Sequence, residues 1–232
     1  MSRRVRWVVT DIDGTITDES GMLDLEVLSE LRQLEKTGIR VGLVSGRPYP
    51  MIRMLGEYLG LTGPLIAENG GAGLWLGETF QLGCREVAEK SAGELGNWIS
   101  IEPTWDNQWR LTDFAIKPTV RLEELKRLVT DLQLDIDLHV SSIMIHLAKS
   151  GVNKGTAIEF CMSQAGLEND EIIVAGDAWS DVSLFERFRL SIAPSNSCEP
   201  VTDRAGFCAE DSFAQGFRQG IQHYRNLGFL PI

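Results

Sequence analysis

Two carboxylates one residue apart open the chemistry of this 232-residue chain: Asp11-Ile12-Asp13-Gly14-Thr15 directly follows the largely apolar run Val5–Thr10. A strand repeats every two residues, so at its carboxyl end both acidic side chains can leave on one side of the sheet, while Gly14 permits a sharp turn. Such a pair suits phosphoryl transfer. One carboxylate can attack phosphorus and form an aspartyl-phosphate; the other can protonate the departing alkoxide and later activate water. Asp11 is the candidate nucleophile and Asp13 the candidate acid-base. The spacing does not describe a calcium loop. With Gly14 at the loop glycine, Val9 falls on the first ligand position and Ser20 on the last.

Three later segments supply the partners such a pair requires. The run Ile39–Val44 ends in Ser45-Gly46-Arg47-Pro48, where a hydroxyl and an unblocked amide precede a Pro-initiated helix and can hold phosphate oxygens. Arg47 either reaches the substrate or pairs with an acidic neighbour. Lys154 opens a helical pattern after Asn153 and offers a positive charge to the transferring phosphoryl group. Ile172–Ala175 then leads into Gly176-Asp177-Ala178-Trp179-Ser180-Asp181, which adds two carboxylates. Asp181 also stands where a simple helix cap would stand. Asn69-Gly70 is a hairpin signal, with a substrate contact by Asn69 as the alternative, and Asn196 carries the same two readings.

The elements that must position these residues alternate. Helical spacing is expected from Asp24 to Lys36 and from Pro48 to Leu61, and strands at Pro64–Ala67, Ile172–Ala175 and Leu190–Ala193, with a last helix near Phe213–Leu227. Strand-helix alternation of this kind predicts a doubly wound, Rossmann-like α/β core whose ligands bind beyond the carboxyl ends of the strands. Thr15–Met22 should form a short flap. Between Leu76 and Ser150 the pattern changes to strands at Phe114–Lys117, Ile136–Val140 and Ile143–Leu147, with helices at Glu86–Trp98 and Arg121–Leu132. We therefore expect a core of residues 1–76 and 151–232 and a smaller inserted α+β cap of residues 77–150. Within the cap, Trp98, Trp105 and Trp109 are expected in packing roles, and Arg110 or Lys117 could grip the nonreacting end of a substrate.

Composition narrows the function classes. A formal charge of −11 argues against general nucleic-acid or anionic-membrane binding. No apolar stretch approaches a membrane span, and Met1–Arg4 leads into a short apolar run, not a signal-peptide core, so a cytoplasmic protein is expected. The four cysteines are scattered and read as reduced thiols, and the three histidines form no metal motif.

The four segments, their order, the Glu68-Asn69-Gly70-Gly71 stretch and the size of the insertion together resemble the haloacid dehalogenase superfamily, most closely its capped phosphatases of the archaeal phosphoglycolate type and related sugar-phosphate phosphatases. Relatives commonly carry Asn where this chain has Ser180. The resemblance implies a magnesium-dependent phosphomonoesterase with Asp11, Asp13 (through its backbone carbonyl), Asp177 and Asp181 around the metal, Asp181 either through water or through Lys154. It implies Ser45, Gly46 and Lys154 on the phosphate, and a monomer or homodimer acting on a small phosphorylated metabolite, 2-phosphoglycolate ahead of sugar phosphates. A phosphomutase-like phosphotransferase and a catalytically idle binding protein of the same fold are the alternatives.

Overall fold

The computed structural model describes residues 5–141 and 143–232; Met1–Arg4, on which the leader argument drew, and Ser142 of the expected cap lie outside the described residues. The chain begins with β1 (Trp7–Thr10), whose alternation places Val8 in one apolar core and Trp7 and Val9 in another across the sheet. Burial on both faces is why the run reads as continuously apolar and not alternating. Asp24 caps α1 (Leu25–Lys36) by accepting from the Val27 amide at 2.9 Å. Then come β2 (Arg40–Val44), α2 (Tyr49–Leu59), β3 (Leu65–Ala67), β4 (Ala72–Trp75) and β5 (Glu78–Gln81).

The middle of the chain forms α3 (Arg85–Gly96), β6 (Phe114–Ile116), α4 (Leu122–Asp131), β7 (Ile136–Val140) and β8 (Ile145–Lys149). It then returns through α5 (Lys154–Ala165), β9 (Ile172–Ala175), α6 (Val182–Arg187), β10 (Ser191–Ala193), α7 (Glu199–Thr202), β11 (Phe207–Cys208) and α8 (Phe213–Asn226). Among the described residues these strands make an eight-stranded sheet in the order β11-β10-β9-β1-β2-β3-β4-β5 and a three-stranded antiparallel sheet β6-β8-β7. This is the expected α/β architecture. The strands from β11 to β3 run parallel, whereas β4 and β5 are antiparallel.

Strand order reverses beside β1, since β2 and β3 extend the sheet to one side and β9, β10 and β11 to the other. A crevice opens at such a reversal, beyond the carboxyl ends of the strands. Thr10 is level with Ala175 in the β1–β9 ladder, so Asp11 and Gly176-Asp177 leave the sheet side by side.

Three local features differ from expectation. Leu76 and Gly77 both adopt positive φ and close a β4–β5 hairpin, so the chain is still paired in the large sheet beyond the expected boundary at Gly77. Strand β8 is Ile145–Lys149, displaced toward the carboxyl end from Ile143–Leu147, because the Ser141 amide donates a hydrogen bond to the Met144 carbonyl at 2.9 Å and so takes Met144 into the turn. Trp98, Trp105 and Trp109 are 66%, 73% and 43% exposed, not core residues; Trp105 and Trp109 sit on a single 3₁₀ turn and pack edge to face on each other. The small unit's core is instead aliphatic, built on Leu95, Ile116, Leu125, Ile136 and Leu147. No helix among the described residues is long and apolar enough to cross a membrane.

Candidate active site

Lys154 is carried to its place by an N-terminal capping box: Asn153 accepts from the Thr156 amide and donates its own amide to the Thr156 hydroxyl, both at 3.0 Å. The first residue of α5 is thereby buried, and its ammonium donates to Asp11 Oδ1 and Asp181 Oδ1, each at 2.7 Å. Asp181 is fully used by protein partners, because its Oδ2 accepts from the Asp177 and Ala178 amides at 3.1 and 3.0 Å. Of the two roles expected for Asp181, the direct bond to Lys154 is the one observed.

Asp177 is held from two sides. Thr15 Oγ1 donates to Oδ1 at 3.0 Å, and Asn196 Nδ2 reaches Oδ2 at 3.3 Å while also donating to the Gly14 carbonyl at 2.9 Å. Gly14 has φ of +86°, and a Cβ there would collide with the Asp177 carboxylate, so glycine is required twice over at this turn. Asn196 thus comes into the site as a clamp between two loops. Its Oδ1 accepts from the Phe213 amide at 2.6 Å, which ties the clamp to α8.

Ligand oxygens of Asp11, Asp177 and Asp181 lie within 4.8 Å of one another. Burial, reinforced by Asp181 and Asp177, pushes the Asp11 carboxyl well above the usual carboxylate range despite Lys154. Burial and then Asp181 push Asp177 up to about 7. Burial works against the Lys154 ammonium, yet Asp11 and Asp181 together hold its proton more tightly than in free lysine. Three carboxyl groups therefore share one cation, and the crowding that raises Asp11 and Asp177 is relieved either by a proton or by a second cation. Hard oxygen donors in that state fit a divalent cation such as magnesium.

Asp13 faces the same cleft but is paired with Arg47, whose Nε and Nη2 donate to Oδ2 and Oδ1 at 2.9 and 2.5 Å. Of the two readings of Arg47, the acidic pairing is realised. Ser45 is buried, and its Oγ accepts from the Arg47 amide at 3.2 Å. Asn69 stands at φ of +54° in the turn from β3 to β4, as the hairpin signal predicts, and also lines the cleft.

The cleft, about 620 Å³, is walled by these loops on one side and by the β7–β8 turn on the other. A separate hollow of about 430 Å³ beside Trp7, Arg40 and Trp75 contains none of the expected site residues. Of the two cap cations, Lys117 pairs with Glu102 at 2.9 Å and does not line the cleft. Arg110 does line it but is buried, bonded to Asp106 at 2.7 Å and Asp113 at 3.0 Å.

Sequence reasoning missed the contacts that join the small unit to the core. Glu68 is wholly buried and accepts from the Tyr49, Leu111 and Thr112 amides at 3.2, 2.9 and 2.7 Å and from the Thr112 hydroxyl at 2.7 Å. Arg110 Nη1 donates to the Gly46 carbonyl at 3.1 Å, and His146 and His139 both line the cleft. An Asp106-x-x-x-Arg110-x-x-Asp113 spacing was the available signal, but it falls in a segment without a regular helix.

A family model described as haloacid dehalogenase-like hydrolase matches residues 8–73 and 114–221. A phosphoglycolate phosphatase of Saccharolobus solfataricus is 30% identical over 219 residues, covering 94% of each chain. One of Metallosphaera sedula is 32% identical over 195 residues, covering 83% of this chain and 86% of its own. The crystal structure of Thermoplasma acidophilum 0175 superimposes with a TM-score of 0.87 at 25% identity, covering 96% of this chain and 99% of that one.

Proposed function

This chain belongs to the haloacid dehalogenase-like hydrolases and is a phosphoric monoester hydrolase, and from that premise we propose that it hydrolyses 2-phosphoglycolate with magnesium through a phosphorylated Asp11. The observation that carries the mechanism is the buried Asp11–Lys154–Asp181 chain beside Asp177. The substrate reading is supported by relatives named phosphoglycolate phosphatase, which this chain matches over most of their length. The scattered free thiols fit a cytoplasmic enzyme.

Lys154 holds Asp11 Oδ1, which leaves Oδ2 to face phosphorus. Attack forms the Oδ2–P bond and breaks the P–O ester bond, whose electron pair goes to the leaving oxygen. Asp13 gives that oxygen a proton, the one it regains from water in the second step of each turnover. The resulting Asp13 carboxylate then takes a proton from water, whose oxygen attacks phosphorus and returns Asp11 as a carboxylate. Arg47 occupies both Asp13 oxygens in the resting site, so it must turn toward the anionic substrate before Asp13 acts. The Ser45 hydroxyl, the Gly46 amide and Lys154 take the phosphoryl oxygens. Asp11 and Asp177 would hold magnesium, with the Asp13 carbonyl, while Asp181 supports it through Lys154 and the Asp177 amide. When bound it would neutralise charge on the phosphoryl group in an in-line displacement.

The test is a magnesium-supplemented comparison of 2-phosphoglycolate with hexose, pentose and glycerol phosphates by kcat/KM. We expect a clear preference for 2-phosphoglycolate, loss of turnover in excess chelator, and a thermal midpoint raised by roughly 5 °C at saturating magnesium. Preference for a sugar phosphate would refute the substrate, and full activity in chelator would refute the metal.

A further inference from the structure

His146 lies on β8, far in sequence from every residue of the phosphate loop, yet its ring stands over that loop. Asp113 accepts from its Nδ1 at 2.8 Å and from Arg110 at 3.0 Å, and Arg110 in turn donates to the Gly46 carbonyl at 3.1 Å. All three side chains are buried. A histidine whose Nδ1 is committed to a carboxylate presents Nε2 in a fixed opposite direction. Here that direction is the hollow over Gly46. A Cβ on Gly46 would lie 3.3 Å from His146 Nε2 and 3.2 Å from both Nδ2 and Oδ1 of Asn69. Asn69 Nδ2 is itself a buried donor without a hydrogen-bond partner among the described residues, and Asn69 lines the cleft. Buried donors are normally satisfied, and an unsatisfied one beside Gly46 points to an acceptor that arrives with the ligand.

We propose that the hollow over Gly46 seats the second anionic group of the substrate, the carboxylate of a small phosphorylated acid, with His146 Nε2 and Asn69 Nδ2 donating to its oxygens. This deepens the phosphatase reading and rests on it. Gly46 directly follows Ser45, so the hollow adjoins the phosphate seat on the side of the small sheet, within reach of a two-carbon acid. With Asp113 at Nδ1 and the substrate carboxylate at Nε2, the ring lies between two anions and bridges them by donating from both nitrogens. Arg110 neutralises Asp113 and Asp106 and fixes the cluster on the loop. A side chain at position 46 would fill the seat, which gives the glycine a role beyond its amide.

The test compares 2-phosphoglycolate with ethyl phosphate, which has the same two carbons but a methyl group in place of the carboxylate. In the wild-type enzyme we expect kcat/KM to favour 2-phosphoglycolate. In His146→Gln, and independently in Asn69→Gly, which tolerates the positive φ, that ratio should fall by about 30-fold, chiefly through KM for 2-phosphoglycolate. Lys117→Ala, whose ammonium pairs with Glu102 away from the cleft, should leave the ratio unchanged. Ratios within about threefold of wild type in both folded variants would overturn the seat, as would a parallel loss in kcat on both esters. A wild-type enzyme that hydrolyses both esters equally would overturn the seat and leave the phosphatase reading standing, whereas turnover of neither would overturn both.

Discussion

Asp11→Asn is expected to lose turnover of every phosphate ester by at least ~10⁴-fold, the scale on which removing a nucleophile from a preorganised site acts. The amide keeps the shape of the side chain and can still accept from Lys154, so phosphate binding and folding should survive. Burial already disfavours the Asp11 charge, and a neutral side chain meets less opposition there than the carboxylate does. Steady-state assays with 2-phosphoglycolate and p-nitrophenyl phosphate, with thermal unfolding run in parallel, check both halves. Residual turnover within about 100-fold of wild type would remove Asp11 from the nucleophile's role.

Lys154→Met should damage the fold as well as the chemistry. The ammonium is almost completely buried between Asp11 and Asp181, and deleting one member of a buried ion group leaves uncompensated charge, at a cost of about 3–5 kcal/mol. In metal-free protein this corresponds to a fall in thermal midpoint of roughly 10 °C. The double variant Lys154→Met/Asp181→Asn should regain part of that loss, because the second change removes one of the stranded carboxylates. A single variant as stable as wild type would mean that Asp11 and Asp181 do not depend on Lys154.

The residues that lie close together in sequence were the legible part of this site. Asp11, Asp13 and Gly14 sit on one strand end, and Ser45-Gly46 on the next, so strand periodicity and turn chemistry place them without tertiary knowledge. Even Lys154 was readable, since it follows Asn153 at the start of a helical pattern, and Asn153 does cap that helix. The Arg110–Asp113–His146 cluster was not readable, because its members come from an irregular segment and a strand that meet through packing of the small sheet. Hydrophobicity misplaced Trp98, Trp105 and Trp109, as a side chain's transfer energy does not say which face of a short turn it occupies. Leu76-Gly77 read as a crossing between units, although the same pair also satisfies a two-residue hairpin with positive φ at both positions. Asn196 looked like turn chemistry because its partners, Gly14 and Asp177, lie on other loops.

Covalent phosphorylation of Asp11 is the central claim, and an acid-quenched reaction of the Asp13→Asn variant with p-nitrophenyl phosphate tests it most directly. Nitrophenolate departs without help from an acid, whereas attack by water on the phosphorylated enzyme still needs the missing base. The intermediate should therefore accumulate, and mass spectrometry of the digested protein should find one phosphoryl group on the peptide containing Asp11. Steady release of nitrophenol with no phosphoryl group on that peptide would contradict the account.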